Sequence, residues 1–300
     1  MNTKLILSII AVAIIWGTTF LGMKIGVESI PAWFVAGIRQ FLAACILFPI
    51  LYFQGKIKWI GWKNLKIQII LATLMLVGAN GLTTVAEKEL TSSLASLITS
   101  LSPVLIFIGC MLVGLQKFSW RAMIGLLFGL GGVLFIFWDG IEDLANPAYL
   151  IGIITLFLAV SSWAAGTVYS KLVAYNSNDM FLNLFYQFLF AGVIQILFAF
   201  VFVDDYNFQE WSLPSIAAIV YLAVFGSIIA FFAYHYILSK MLATQVSMIQ
   251  YINTILAIFL GWLILGEEIS VKFIFAAIFI ITGVFIVNYK PKEKMIEAKA

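Results

Sequence analysis

Gln40-Phe41-Leu42, followed by Ala44, returns as Gln187-Phe188-Leu189 followed by Ala191. The offset is 147 positions, and working outward from this stretch the same offset joins Trp16 to Trp163 and Lys24 to Lys171. Further along it becomes 151: Ser96 meets Ser247, Ile98 meets Ile249, Ser119 meets Ser270, and Gly132-Val133 meets Gly283-Val284. A repeat of half the chain length settles the architecture before any single element is read. The expectation is one unit of about 140 residues used twice, over residues 1–138 and 149–289, with 139–148 as the linker and 290–300 as a tail.

Composition says what solvent the unit folds in. Hydrophobic residues make up 63% of the chain and charged residues 10%, whereas a soluble domain carries about 25% charged residues. Too little polar surface exists to face water, so the bilayer is the solvent that fits. The net charge of +3 comes from scattered single residues, which excludes the clustered basic face that nucleic-acid binding needs. Cys45 and Cys110 both lie inside apolar runs and read as small core residues, not as a disulfide or metal site. No cofactor is expected. The N-terminal run begins like a secretory leader, but it continues to Met23 and holds Trp16, whose mate is Trp163, so it is expected to be retained as a first span.

A membrane-spanning helix needs about 20 mostly apolar residues. Ten such runs are legible, at about 5–23, 31–53, 67–86, 92–113, 121–138, 149–170, 180–203, 213–236, 243–265 and 271–289. They must be helices, because unpaired backbone groups are not tolerated in hydrocarbon. With the N-terminus inside, 13 basic residues fall in cytoplasmic segments and only Lys24, Lys88 and Lys272 in outer ones. The positive-inside rule therefore puts both termini in the cytoplasm. Five spans per unit is odd, so the second copy enters the membrane upside down. The expected fold is an all-α integral membrane protein of ten transmembrane helices, built as two inverted five-helix repeats around a central cavity. Inverted repeats of this kind recur in secondary transporters, with the substrate near the midplane between the halves.

On particular residues the chain resembles the EamA type of the drug/metabolite transporter superfamily. These are Trp16-Gly17, the Arg39 of Ala36-Gly37-Ile38-Arg39, Ser102-Pro103, Leu265-Gly266-Glu267-Glu268 with Ile269-Ser270, and Ile281-Thr282-Gly283-Val284. The two copies differ at two of these places: Leu115-Gln116 stands where the second copy has Gly266-Glu267, and Thr254 where the first has Pro103. The resemblance implies a ten-helix inner-membrane carrier, often an exporter of amino acids or related metabolites. It specifies the scaffold well and the substrate poorly.

Polar side chains inside spans cost free energy and tend to face a bundle interior or a wet cavity. Asn80, Thr83, Thr84 and Glu87 share one helical face, and so do Ser92, Ser96, Thr99 and Pro103. The ninth span offers Ser247, Gln250, Tyr251 and Thr254, with Asn253 one step off, and the eighth Tyr234 and His235. These faces, with Trp16 and Trp163, are expected to surround one cavity; the plainer reading of each Ser or Thr is helix–helix hydrogen bonding. Arg39 is the only charge well inside a span, about 12 Å deep at 1.5 Å per residue. Its planar fork suits a substrate carboxylate; alternatively it pairs with Glu87 or Glu267, or snorkels outward. His235, the only histidine, is either a proton carrier or interfacial packing. Trp16 and Trp163 are expected to form opposite walls of a flat pocket, or to pack as core. Pro103 should kink the fourth span and Thr254 bend its twin more weakly. Gly125, Gly129 and Gly132, with Ala276, Ala277 and Gly283, read as close-packing faces of scaffold or dimer.

The function these residues point to is alternating-access transport of a small metabolite, most specifically amino-acid export. A lipophilic-cation carrier would want a carboxylate at mid-depth, and Glu87, Glu89 and Glu267 all sit at span ends. A lipid translocator is a further alternative. An intramembrane enzyme would need His-Glu-x-x-His or two buried acids, and neither is in the chain; one built on a Ser–His pair through His235 is the remote alternative. The expected partners are a small-molecule substrate and the bilayer, with the chain as monomer or homodimer.

Overall fold

Every regular element of the computed structural model is helical among the described residues, 3–90, 92–138, 141–173, 179–204, 206–265 and 271–288. The order is α1 (Thr3–Val27), α2 (Ala32–Phe53), α3 (Gly61–Ala86), α4 (Ser92–Thr99), α5 (Ser102–Leu112), α6 (Trp120–Ile136), α7 (Leu150–Leu172), α8 (Met180–Phe202), α9 (Leu213–Lys240), α10 (Ala243–Ser247), α11 (Ile249–Leu265) and α12 (Val271–Asn288). Seven stretches are long and apolar enough to cross a membrane: α1, α2, α3, the α4–α5 pair, α7, α8 and α9. Helices α6 and α12 are shorter apolar segments, and α11 is an apolar helix of 17 residues. Large apolar side chains such as Leu7, Ile14, Ile151 and Phe285 point outward. That is costly in water and natural against lipid. Trp59, Trp62, Trp120 and Trp138 are exposed near helix ends, where indoles favour the membrane–water interface.

Two of the runs expected to be single helices are interrupted. The run 92–113 divides into α4 and α5, and 243–265 into α10 and α11. Pro103 lies in the first turn of α5, where its missing N–H leaves no bond unmade; the interruption falls just ahead of it instead of as a kink within one helix. In the second copy the interruption is at Met248. Helix α11 runs on through Thr254, whose hydroxyl reaches Gln250 O at 3.4 Å. Ser100 and Ser247 each return a hydroxyl to a carbonyl three residues back, at 2.6 and 2.8 Å, so both interruptions carry the same device.

Helices α3 and α9 each widen into π-helical geometry, over Ala72–Gly81 and Leu222–Ile229. A π turn takes one residue out of the i−4 ladder, and in a membrane the displaced carbonyls need other donors. Other helices supply them in α3: Ser162 Oγ donates to Leu74 O at 2.8 Å and Gln195 Nε2 to Leu76 O at 2.9 Å. Widened turns place side chains where a regular helix does not, and the α3 segment borders the cavity described below.

Packing pairs matching elements of the two copies. Helix α2 lies along α8 and α6 along α12. At the first contact the helices are close enough that a Cβ on Gly192 would sit 2.5 Å from Phe41 N, and one on Gly37 2.8 Å from Ile196 N. At the second, a Cβ on Gly125 would sit 2.7 Å from Gly283 O, and one on Gly132 2.9 Å from Ala276 O. The small residues of α6 and α12 therefore serve packing within the chain. The remaining contacts are reciprocal: α1 lies against α9 and α11, α7 against α3 and α5. Gln187 of the second copy donates to Gln68 Oε1 of the first at 2.7 Å, buried, which locks α8 to α3.

Candidate functional site

Helix α1 presents Trp16, Thr19, Phe20 and Met23 toward the centre of the bundle, at the i, i+3, i+4, i+7 spacing of one helical face. They border a cavity of about 110 Å3, completed by Arg39 of α2, Ala79, Asn80 and Thr83 of α3, Thr99 and Ser102 at the α4–α5 interruption, Ala159, Val160 and Trp163 of α7, Phe231 of α9, and Gln250 and Asn253 of α11. The α3 π segment supplies Ala79 and Asn80, and an interrupted span supplies Thr99 and Ser102. The irregular backbone is therefore where the cavity is, the pattern expected of membrane sites.

Eight of the residues singled out in the sequence come together here: Trp16, Arg39, Asn80, Thr83, Thr99, Trp163, Gln250 and Asn253. Of the others, Thr84, Tyr234 and His235 do not line the cavity. Thr84 is buried and gives its hydroxyl to Asn80 O at 2.8 Å, with Met23 Sδ at 3.6 Å. Tyr234 sits behind the indoles and shares a 2.8 Å hydrogen bond with Thr167. His235 is buried beside Tyr234 and Phe231, ring centroids 5.9 and 6.3 Å away. Helical periodicity from Trp16 would have found Thr19, Phe20 and Met23, and three residues back from Tyr234 would have found Phe231. The sequence reading weighted polar groups and passed over them.

The indoles are not opposite walls of a slot. Trp16 and Trp163 touch edge to face, centroids 5.3 Å apart and planes at 79°. Tyr234 lies 5.0 Å from one and 5.1 Å from the other, and Phe231 5.8 and 6.0 Å. The four rings make one continuous aromatic surface, because the ring quadrupoles favour tilted contact over an open face-to-face gap. One side of the cavity is thus a sealed apolar plate.

The polar groups around it are mostly committed to backbone. Asn80 Nδ2 donates to Met75 O at 3.1 Å, a five-residue step that the π turn permits. Thr99 Oγ1 donates to Ala95 O at 2.9 Å. The Asn253 amide nitrogen is placed to donate to Ile249 O at 3.0 Å and Ala13 O at 3.2 Å.

Arg39 differs. Among the described cavity-lining side chains it is the only charged one, and it is 2% exposed. Nε reaches Ser227 Oγ at 3.4 Å, a long bond that the α9 π segment makes possible by turning Ser227 inward. At the neighbouring Gly226 an added Cβ would sit 2.9 Å from Thr19 Cγ2 and 3.5 Å from Nη2, so the glycine is set by the approach to α1 and not by the guanidinium. Nη1 has no hydrogen-bond partner among the described residues. No ion pair joins Arg39 to Glu87, and Glu267 lies outside the described residues. Of the structural roles considered for this arginine, the pair with Glu87 is therefore not made, and burial replaces snorkelling. A buried guanidinium nitrogen without an acceptor is costly and fits an anion brought by a ligand.

A membrane-embedded helical bundle with a polar, aromatic cavity at its centre defines a multi-pass membrane transporter. The chain belongs to the EamA-like transporter family, whose model matches residues 3–138 and again 150–289. It is 29% identical to the uncharacterized transporter YoaV of Bacillus subtilis, over 94% of this chain and 96% of that one. It is 28% identical to the uncharacterized inner membrane transporter YedA of Escherichia coli K12, over 95% and 92%. A third relative, at 25% identity over 90% and 85%, is an S-adenosylmethionine/S-adenosylhomocysteine transporter of Chlamydia trachomatis. A crystal structure with a TM-score of 0.77 and 16% identity covers 96% of this chain and 98% of its own; that likeness shows the fold alone. Family and relatives are transporters, proteins that move a substrate without transforming it.

Proposed function

We propose that the chain is a secondary carrier whose two five-helix halves, 1–138 and 149–289, lie in opposite orientations and rock about the cavity by alternating access. Ten crossings follow if α6, α11 with α10, and α12 join the seven longer stretches. The inversion is supported by the odd number of crossings per half and by the pairing of α2 with α8 and α6 with α12. The basic residues of the short loops support cytoplasmic termini for the chain and its tail 290–300. The relative named as an inner membrane transporter supports a plasma-membrane location.

The proposed substrate is a small carboxylate-bearing metabolite with an apolar or aromatic remainder, a class that includes the amino acids. The observation that carries this is Arg39: one buried cation on the cavity wall, with Nη1 unpartnered and an aromatic plate beside it. Its fork matches a carboxylate, and its charge opposes a cationic cargo. A folded-state pair would have made the same residue a structural strut; Ser227 at 3.4 Å is too weak a partner for that.

The test is counterflow in proteoliposomes loaded with unlabelled amino-acid pools and offered labelled members, with and without a pH gradient. Saturable uptake that disappears in a folded Arg39→Ala protein is the expected result. Uptake unchanged by the substitution refutes Arg39 as the anchor, and no uptake of any amino acid removes them from the substrate class.

A further inference from the structure

We infer that, within the carboxylate class, the cavity selects species of net charge −1 over zwitterions, so that a deaminated acid binds better than the amino acid with the same side chain. This rests on the reading of the cavity as the substrate site, and it goes on to assign the charge of the bound species.

The inference follows from which charges the cavity holds. Arg39 supplies one positive charge, and no carboxylate is among the described lining residues. A monoanion neutralises the guanidinium and leaves the buried site with no net charge. A zwitterion also brings its carboxylate to Arg39, but its ammonium then shares the low-dielectric space with no acidic side chain to receive it. Ionised groups at membrane depth are tolerated when paired, and an ammonium there would have only neutral acceptors. Those acceptors carry no negative charge: the Thr99 hydroxyl and the Asn80 amide nitrogen donate to backbone carbonyls, which leaves their oxygens able to accept a hydrogen bond but unable to neutralise an ammonium. The aromatic plate offers little more, since Trp16 and Trp163 are tilted against each other, Phe231 and Tyr234. Among the described acids, none lines the cavity. Glu87 is buried at the end of α3 and is not a lining residue.

Three ligands sharing one phenyl side chain test this: 3-phenylpropionate, phenylalanine and phenethylamine. Their binding to the purified wild-type protein in detergent is read by the intrinsic fluorescence of the cavity tryptophans and repeated by calorimetry. The expected order is phenylpropionate tighter than phenylalanine by about tenfold or more, each tenfold being about 1.4 kcal/mol, with phenethylamine weakest. Arg39→Gln should abolish the preference for the anion, and Arg39→Lys should keep part of it, because the charge remains and the fork is lost. The order is measured on wild-type protein, so it decides the matter even where a variant fails to fold. Phenylalanine binding as well as or better than phenylpropionate overturns the inference and leaves the carboxylate carrier standing. Phenethylamine binding tightest, no ligand binding, or an order unchanged in a folded Arg39→Gln protein overturns both.

Discussion

Gly192 of α8 faces Phe41 of α2, and replacing it with alanine tests whether these helices are as close as the structure puts them. The added Cβ would stand 2.5 Å from Phe41 N, 2.7 Å from its Cα and 2.9 Å from its Cβ. Carbon contacts relax at about 3.5–4.0 Å, so the helices must separate by about 1 Å, and two of the three atoms are backbone that no rotamer can move aside. Overpacking of this kind costs about 2–3 kcal/mol, against which alanine regains up to about 1 kcal/mol of helix propensity. A net loss of about 1–2 kcal/mol lowers Tm by roughly 2–8 °C at about 2–4 °C per kcal/mol. Gly131→Ala is the control, since a Cβ there meets nothing within 4 Å; its Tm should be unchanged or slightly raised. Both proteins are melted in the same detergent at the same scan rate, followed by tryptophan fluorescence, because unfolding of such proteins is kinetically controlled. Adding Phe41→Ala should not rescue Gly192→Ala, because the closest atoms belong to the backbone. Equal Tm values for Gly192→Ala and Gly131→Ala, or rescue by Phe41→Ala, would refute the close approach.

Two further outcomes follow from the polar groups around the cavity. Tyr234→Phe removes the buried bond to Thr167 but keeps the ring against both indoles, so it should cost about 1 kcal/mol in a melting experiment and leave counterflow intact; loss of transport would put the hydroxyl in the substrate path. Gln195→Leu strips the donor from Leu76 O in the π segment of α3, leaving a buried carbonyl unpaired at about 1–3 kcal/mol, and a variant as stable as wild type would show that the widened turn needs no outside donor.

Transmembrane helices, an internal repeat and the family resemblance were all legible before any coordinates, because each depends on patterns local to the chain. Apolar runs announce themselves by length, and the Trp16–Trp163 and Gln40–Gln187 pairs by register. Most of the cavity's polar residues were legible too, since an amide or a guanidinium in an apolar run must be held by something. The differences between expectation and placement have a common cause. Thr84, Tyr234 and His235 looked like cavity residues because they are polar at depth, yet they are satisfied by or packed against neighbours that sequence does not bring near. Phe20, Met23 and Phe231 were missed because an apolar residue in an apolar span carries no signal of which way it faces.

The sequence by itself determined that this protein is a membrane-embedded helical transporter of the EamA-like family built from two related halves, because hydropathy, repeat register and motif are written in residue order. Only the tertiary structure decided that α3 and α9 widen into π turns, that the α4–α5 and α10–α11 interruptions fall beside the cavity, and that the two indoles meet edge to face. It alone left Arg39 against Ser227 with Nη1 unpartnered. Those features depend on which carbonyl, ring or hydroxyl comes from another helix, and a pairing between residues 39 and 227 leaves no trace in the local pattern of either.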